Sequence, residues 1–401
     1  MKNINHINTT RNVKKFLLML ILILSVFQTL AYAEDDMSKE VLSEYNSLYG
    51  DSIQNGLDEI EGNNIDEFIP GFDAETILNN IASGKTDMSI SGILNSGLKF
   101  LMGEVYRSLK IMALVLALSI LCAYLTNLKS SFNKDGVEQI AFFACYIIIA
   151  GIATAAFYDI AKCAGTAIGN MSAFMNIMVP IMVTTLLTSG AVISASVFEP
   201  LLLTVVEITM TVITTVFLPF VMLSSAMNIV NNLSDKFKAE RLTKLLGNGV
   251  KWGLTIMLTV FVGVVGIQSI AASGADGLSV KITKFATSNF IPVVGGVLAE
   301  SVETVLSCSV VIKNSVGVLG IIIMTLIAAT PLLKIIATLI IFRLTAAISE
   351  PIADPKIVQC ITELANSIGL IFSMLAAVTI MFIIVITIML NAGNTAVLLG
   401  R

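Results

Sequence analysis

Six apolar runs, at about 109–127, 137–158, 200–230, 250–271, 315–342 and 367–390, each come close to the length of a membrane crossing. A helix needs about 20 apolar residues to cross the hydrocarbon of a bilayer. Only 13% of the 401 residues are charged and 56% are hydrophobic, against roughly 25% charged in a soluble domain. This pattern predicts an all-α polytopic membrane protein. Two further apolar stretches, about 172–198 and 285–312, are interrupted. The first contains Pro180 and Gly190, the second Pro292 and the pair Gly295 and Gly296. They read as two broken re-entrant hairpins, because freed backbone groups are tolerated at membrane depth only beside protein or water.

The two halves of the membrane region are related by spacing. Pro180 precedes Pro219 by 39 residues, and Pro292 precedes Pro331 by 39, so both pairs shift by 112. Gly151 and Gly263, Gly165 and Gly277, and Val206 and Val318 fall at the same offset. An internal repeat of about 112 residues follows as an expectation.

The chain divides into three parts. Residues 1–33 read as a signal peptide, with basic Lys2, Arg11, Lys14 and Lys15, the apolar core "FLLMLILILSVF" and the small-residue site "AYA". Residues 34–105 form an acidic extracytoplasmic helical segment. Residues 34–110 hold fifteen acids against five bases. Within that segment Asp73 is placed to cap a helix, with Glu75 in its first turn. The segment is too small for a rich core of its own and is expected to pack on the membrane domain or a partner. Residues 106–401 form the duplicated membrane domain.

Charge sets the expected topology. The connector at 231–251 carries Lys236, Lys238, Arg241, Lys244 and Lys251, so it and its two equivalents are assigned to the cytoplasm. The acidic segment and the C-terminus then face outward. Trp252 is expected as an interfacial anchor.

Ionisable residues at membrane depth usually face an interior, a cavity or a partner. Glu300 and Glu303 follow the second break one turn apart, with Lys313 beyond. Glu199 and Glu207 occupy the equivalent part of the first half. These five define a polar pathway between the hairpins, or else acids that rest in headgroup water. Asp159 and Lys162 read as an interfacial i,i+3 pair, and Lys334 and Arg343 as snorkelling cations at a cytoplasmic helix end. "GVVG" at residues 263–266 reads as helix packing.

Catalytic chemistry finds little material. The only histidine is His6, in the leader, and the five cysteines are scattered without a CxxC, as packing residues would be. No Walker A, HExxH, GxSxG or DxDxDG pattern occurs. No catalytic, cofactor or metal residues are assigned, and no basic surface suggests nucleic acid.

The leader, the acidic segment, the polytopic region, "KFATSNFIPVVGGVLAESVETVL" and "IKNSVGVLGIIIMT" together resemble the stage III sporulation protein AE family, over essentially the whole chain. The resemblance implies a non-enzymatic membrane subunit of the transenvelope channel complex between mother cell and forespore in endospore-forming Firmicutes. It implies location in the mother-cell membrane around the forespore, with the outward side facing the intermembrane space. The implied partners are the other stage III A proteins and forespore protein Q, within an assembly partly similar to type III secretion rings. The residues alone leave open a self-contained secondary transporter working through broken helices, or a pure scaffold.

Overall fold

The computed structural model describes residues 49–58, 60, 72–82, 90–127, 135–233, 239–290 and 295–392. Among them there is no strand. The helices are α1 (Ala74–Ala82), α2 (Ile90–Asn127), α3 (Asp135–Thr188), α4 (Val192–Val212), α5 (Leu218–Leu233), α6 (Glu240–Phe290), α7 (Gly295–Ser349) and α8 (Pro355–Asn391). A π-helical turn at Ile213–Phe217 joins α4 to α5 into one rod. Residues 49–58 are also helical. Six helical stretches are long and apolar enough to cross a membrane, as the apolar runs predict. The leader, Lys236, Lys238 and Pro292 lie outside the described residues.

Long helices that follow one another in the chain pack antiparallel. Between α4–α5 and α6, Ser224 Oγ donates to the Thr243 carbonyl at 3.1 Å. Further along, a Cβ added to Gly253 would lie 2.6 Å from Phe217 Cζ, and beyond that Asp276 meets Ile193. The order reverses between partners, as antiparallel packing requires. In the same way Lys313 of α7 meets Ala392 at the end of α8, while Gly317 faces Leu390. Helices α7 and α8 form the centre, with most of their inner residues buried. Glycines admit close approach there: a Cβ on Gly317 would come within 2.7 Å of Leu390 Cδ1. Glycines 263 and 266 behave otherwise. Among the described residues nothing lies within 4 Å of a Cβ at either position, so neither makes the close helix contact expected of it.

The stretch 172–198 folds back on itself, but only one of its two expected breaks interrupts it. Helix α3 runs through Pro180. A proline removes one N–H and strains the carbonyl four residues earlier. Here that residue is Asn176, on an exposed face, and the turns on either side are held by packing such as Met178 against Gly320. The reversal falls at Gly190, which has φ 82°. Its N–H bonds the Leu187 carbonyl at 3.1 Å and the Ala191 N–H bonds that of Leu186 at 3.0 Å. This is a Schellman cap, which places glycine in the left-handed region. In the second half α6 ends at Phe290, and Gly295 and Gly296 open α7.

Exposed apolar residues form a band on α2 toward its Asn127 end, whereas on α6 exposed Ile267, Ile270 and Leu278 continue toward the opposite tip. The α2 band runs between Tyr106 and Tyr124, which are 76% and 61% exposed and about 27 Å apart along the axis. That matches a hydrocarbon thickness of about 30 Å, with aromatic residues at its edges. On α3 Tyr158, 54% exposed, marks the corresponding edge. The helix then continues to Thr188, about 45 Å further at roughly 1.5 Å per residue. Beyond Tyr158 the exposed residues of α3 include Thr166, Ala173, Asn176 and Thr184, which suit water better than lipid. Trp252 is exposed on α6.

The acidic segment packs where these helices overrun the band. Ile53, Leu57, Ala74 and Leu78 are buried, a Cβ on Gly56 would meet Ile177 Cδ1 at 2.6 Å, and Ala74 N–H donates to Gln54 Oε1 at 3.3 Å. Asp73 caps α1 as its position predicts. Its Oδ2 accepts from the Thr76 N–H at 2.9 Å and from the Thr76 hydroxyl. Helix α2 crosses the boundary expected at residue 105 without a break.

Replacing Gly190 by valine should cost about 1–2 kcal/mol through the left-handed backbone, with asparagine costing less, as read by thermal unfolding in detergent. A second prediction concerns acid. The Thr76 hydroxyl and N–H hold the Asp73 carboxyl below its usual range. Its stabilisation is therefore present above the unfolded value of about 3.9 and is lost as pH falls through the folded value. Protection of the Thr76 and Ile77 amides against hydrogen exchange, taken relative to their intrinsic rates, should fall on acidification below about pH 4, and Asp73→Asn should flatten that dependence.

Candidate functional site

A half-open cleft of about 630 Å³ lies between α2, α3 and α7. Helical spacing builds it. On α2 Phe100, Glu104, Arg107, Ser108 and Ile111 share one face. On α3 Ala156, Asp159, Lys162, Cys163, Thr166 and Asn170 share another. On α7 Leu326, Ile327, Thr330, Pro331, Lys334 and Thr338 complete the wall, and Ile60 contributes from the acidic segment. Residues at i, i+3, i+4 and i+7 line one stripe of a helix, so three stripes facing each other give a polar pocket in an apolar body.

The cleft holds three cations and two acids: Arg107, Lys162 and Lys334, with Glu104 and Asp159. Glu104 is buried and paired with Arg107 Nη1 at 2.7 Å. No ion pair joins Asp159, Lys162 or Lys334 to another described residue. Asp159 and Lys162 thus do not form the pair their spacing predicts, because both face outward into the opening. Thr338 Oγ1 returns to the Lys334 carbonyl at 3.0 Å, whereas the buried Thr330 Oγ1 has no partner among the described residues. Pro331 lacks the N–H that would bond the Ile327 carbonyl, and both residues line the cleft.

The expectation placed Lys334 at a cytoplasmic helix end and the Asp159 and Lys162 pair at the opposite surface. The structure brings all three into one cleft at the level of Tyr106 and Tyr158. Helix α7 extends fifteen residues past Lys334 to Ser349, so Lys334 lies well inside its helix. The missed signal was the i,i+3 recurrence of charge on two helices, Glu104 with Arg107 and Asp159 with Lys162.

The proposed pathway residues fall on α4 and α7, and the side chains of Glu300 and Glu303 lie outside those described. Glu199 and Glu207 are exposed on α4, beyond the exposed apolar run that begins with Ile208. Glu300 and Glu303 fall in the first turns of α7. Lys313 is fully buried and donates from Nζ to the Ala392 carbonyl at the end of α8. Its charge meets the negative end of that helix. Asp276 does the converse for α4. Buried on α6, it accepts from the Ile193 N–H at 2.8 Å and the Ser194 N–H at 3.1 Å. Both buried charges therefore close helix termini. Arg241, Lys244 and Lys251 lie on the connector half of α6, where Lys244 pairs with Glu240. Among the described residues no cluster of three or more His, Cys, Asp or Glu is arranged to hold a metal.

The profile of the family described as stage III sporulation protein AE matches residues 72–393, from Asp73 and α1 to the end of α8. The chain belongs to the stage III sporulation protein AE family. A curated relative, stage III sporulation protein AE of Bacillus subtilis (strain 168), is 31% identical over 317 residues, 79% of each chain. No solved structure matches. The cleft apart from Ile60, both buried caps and the Gly190 reversal all fall inside the family match. The helical stretch 49–58 precedes it.

Replacing Lys313 by methionine should cost about 1–3 kcal/mol, because the α8 terminus loses its buried donor. Thermal unfolding in detergent, followed by far-UV circular dichroism, measures it.

Proposed function

We propose that this sporulation protein is a non-enzymatic membrane subunit of a transenvelope channel complex linking mother cell and forespore during endospore formation. Membership of the family supports the sporulation role. The observation that carries the finer reading is the mismatch between helix length and apolar band. Helices α3 and α7 hold 54 and 55 residues, about 80 Å each, while the band on α2 is about 27 Å deep. A protein that only crossed its membrane would not need the remainder. The surplus forms a helical body on one side, to which residues 49–58 and α1 are attached.

In this reading the basic connectors face the mother-cell cytoplasm, consistent with the charge at Arg241, Lys244 and Lys251. The helical body and the C-terminus face the space between the two membranes. The body then offers rigid, water-exposed surface to the other stage III A proteins and to forespore protein Q. The membrane is the mother-cell membrane surrounding the forespore, and the subunit works within a ring assembly.

Two measurements test this. Tagged protein from sporulating cells should retain other stage III A proteins after detergent extraction, and the purified chain alone should move no solute in liposomes. Solute uptake by the chain alone would instead indicate a self-contained transporter. In intact vegetative cells expressing the chain, Thr188→Cys should react with an impermeant maleimide and Lys238→Cys should react only after permeabilisation. The reverse pattern inverts the topology.

A further inference from the structure

The cleft between α2, α3 and α7 has a chemistry that neither the channel role nor the helix packing uses. Its cations outnumber its acids. Arg107 is engaged by Glu104, while Lys162 and Lys334 reach no acid among the described residues. Lys162 is exposed at the opening and Lys334 is half-buried in the wall, and an ammonium in either place gains a charge-assisted bond from an anion that enters the cleft. Around these cations stand hydroxyl donors. The buried Thr330 Oγ1 has no partner among the described residues, and Ser108 is buried in the wall. Ammonium and hydroxyl donors converging from different helices suit the several acceptor oxygens of a phosphate group.

The position selects the source of that phosphate. The cleft lies at the edge of the exposed apolar band. Met102, Tyr106 and Tyr158 neighbour its lining residues and are 65%, 76% and 54% exposed. Below them α2 presents Leu114, Ile120 and Leu121 outward. A ligand seated here meets cations and hydroxyls at one end and an apolar wall along the other. That is the polarity of a phospholipid, whose headgroups lie at this depth.

We propose that the cleft is a phosphate-binding site in which Lys162 and Lys334, assisted by Arg107 and the Thr330 hydroxyl, hold the headgroup of an anionic phospholipid. The acyl chains run along α2 and α3 toward the connectors. Asp159, exposed at the opening, disfavours dense negative charge and so favours a monoanionic phosphodiester over a free dianion.

Native mass spectrometry of the full chain in detergent tests the site, with phosphatidylglycerol and phosphatidylcholine of identical acyl chains as probes. Phosphatidylglycerol should be retained roughly tenfold more than phosphatidylcholine, the scale of one charge-assisted contact. The double variant Lys162→Gln/Lys334→Gln should reduce this preference to about twofold or less. Lys162→Arg/Lys334→Arg should keep most of it, and so should Lys244→Gln at the connector end. Equal retention of the two lipids, or full preference in the double glutamine variant, overturns the proposal. Excess inorganic phosphate should leave phosphatidylglycerol bound; its complete displacement assigns the cleft to a soluble anion and overturns the lipid. Should the glutamine variant not fold, photo-crosslinkable phosphatidylglycerol on the unaltered chain decides. Crosslinks on peptides containing Arg107, Lys162 and Lys334 support the site, and crosslinks confined to other helices overturn it.

Discussion

A backbone amide or carbonyl exposed to hydrocarbon has no water to bond, so it must be satisfied within the protein. The rest of this structure depends on that constraint. It excludes open sheet edges, makes every crossing a helix, and moves the difficulty to helix ends. Two of those ends lie inside the protein. Asp276 closes the start of α4 and Lys313 closes the end of α8, each fully buried and each opposite in sign to the terminus it meets. A charge that would be costly alone becomes a cap, and the helices can stop where packing requires rather than where water begins.

The same constraint explains what the sequence disclosed. Apolar length and charge deficit locate six crossing helices because a bilayer leaves few alternatives. Asp73 was legible as a cap because its signal is local: an acid one residue before an amphipathic stretch. Gly190 was legible as a break for a similar reason, since its conformation is its own property. Pro180 was misleading. A proline costs a helix one bond, but a rod of 54 residues held by neighbours on several faces absorbs that loss. Nothing within the sequence around position 180 reports those neighbours.

The cleft was the least legible part. Its charges come from three segments: residues 104–107, 159–162 and 334. Each has an ordinary explanation when read in isolation, as a surface pair or a snorkelling cation. Only the packing of α2, α3 and α7 against one another places them at one depth. Three of the candidate pathway residues show the complementary difficulty. Glu199, Glu207 and Lys313 were grouped by their distance from the breaks, yet spacing along the chain does not report direction around a helix. The glutamates turn to the exposed surface, and the lysine turns inward to a terminus.

The length of α3 has a mechanical consequence. A continuous helix is stiff over its whole extent, so a rotation at one end becomes a displacement at the other. With about 45 Å of α3 standing beyond Tyr158, a tilt of about 5° at the membrane shifts the Gly190 tip by about 4 Å. The antiparallel partner α4–α5 moves with it, because the two are clasped at the same tip. Seen this way α3 is a lever, and small changes among the helices at one end are amplified at the other.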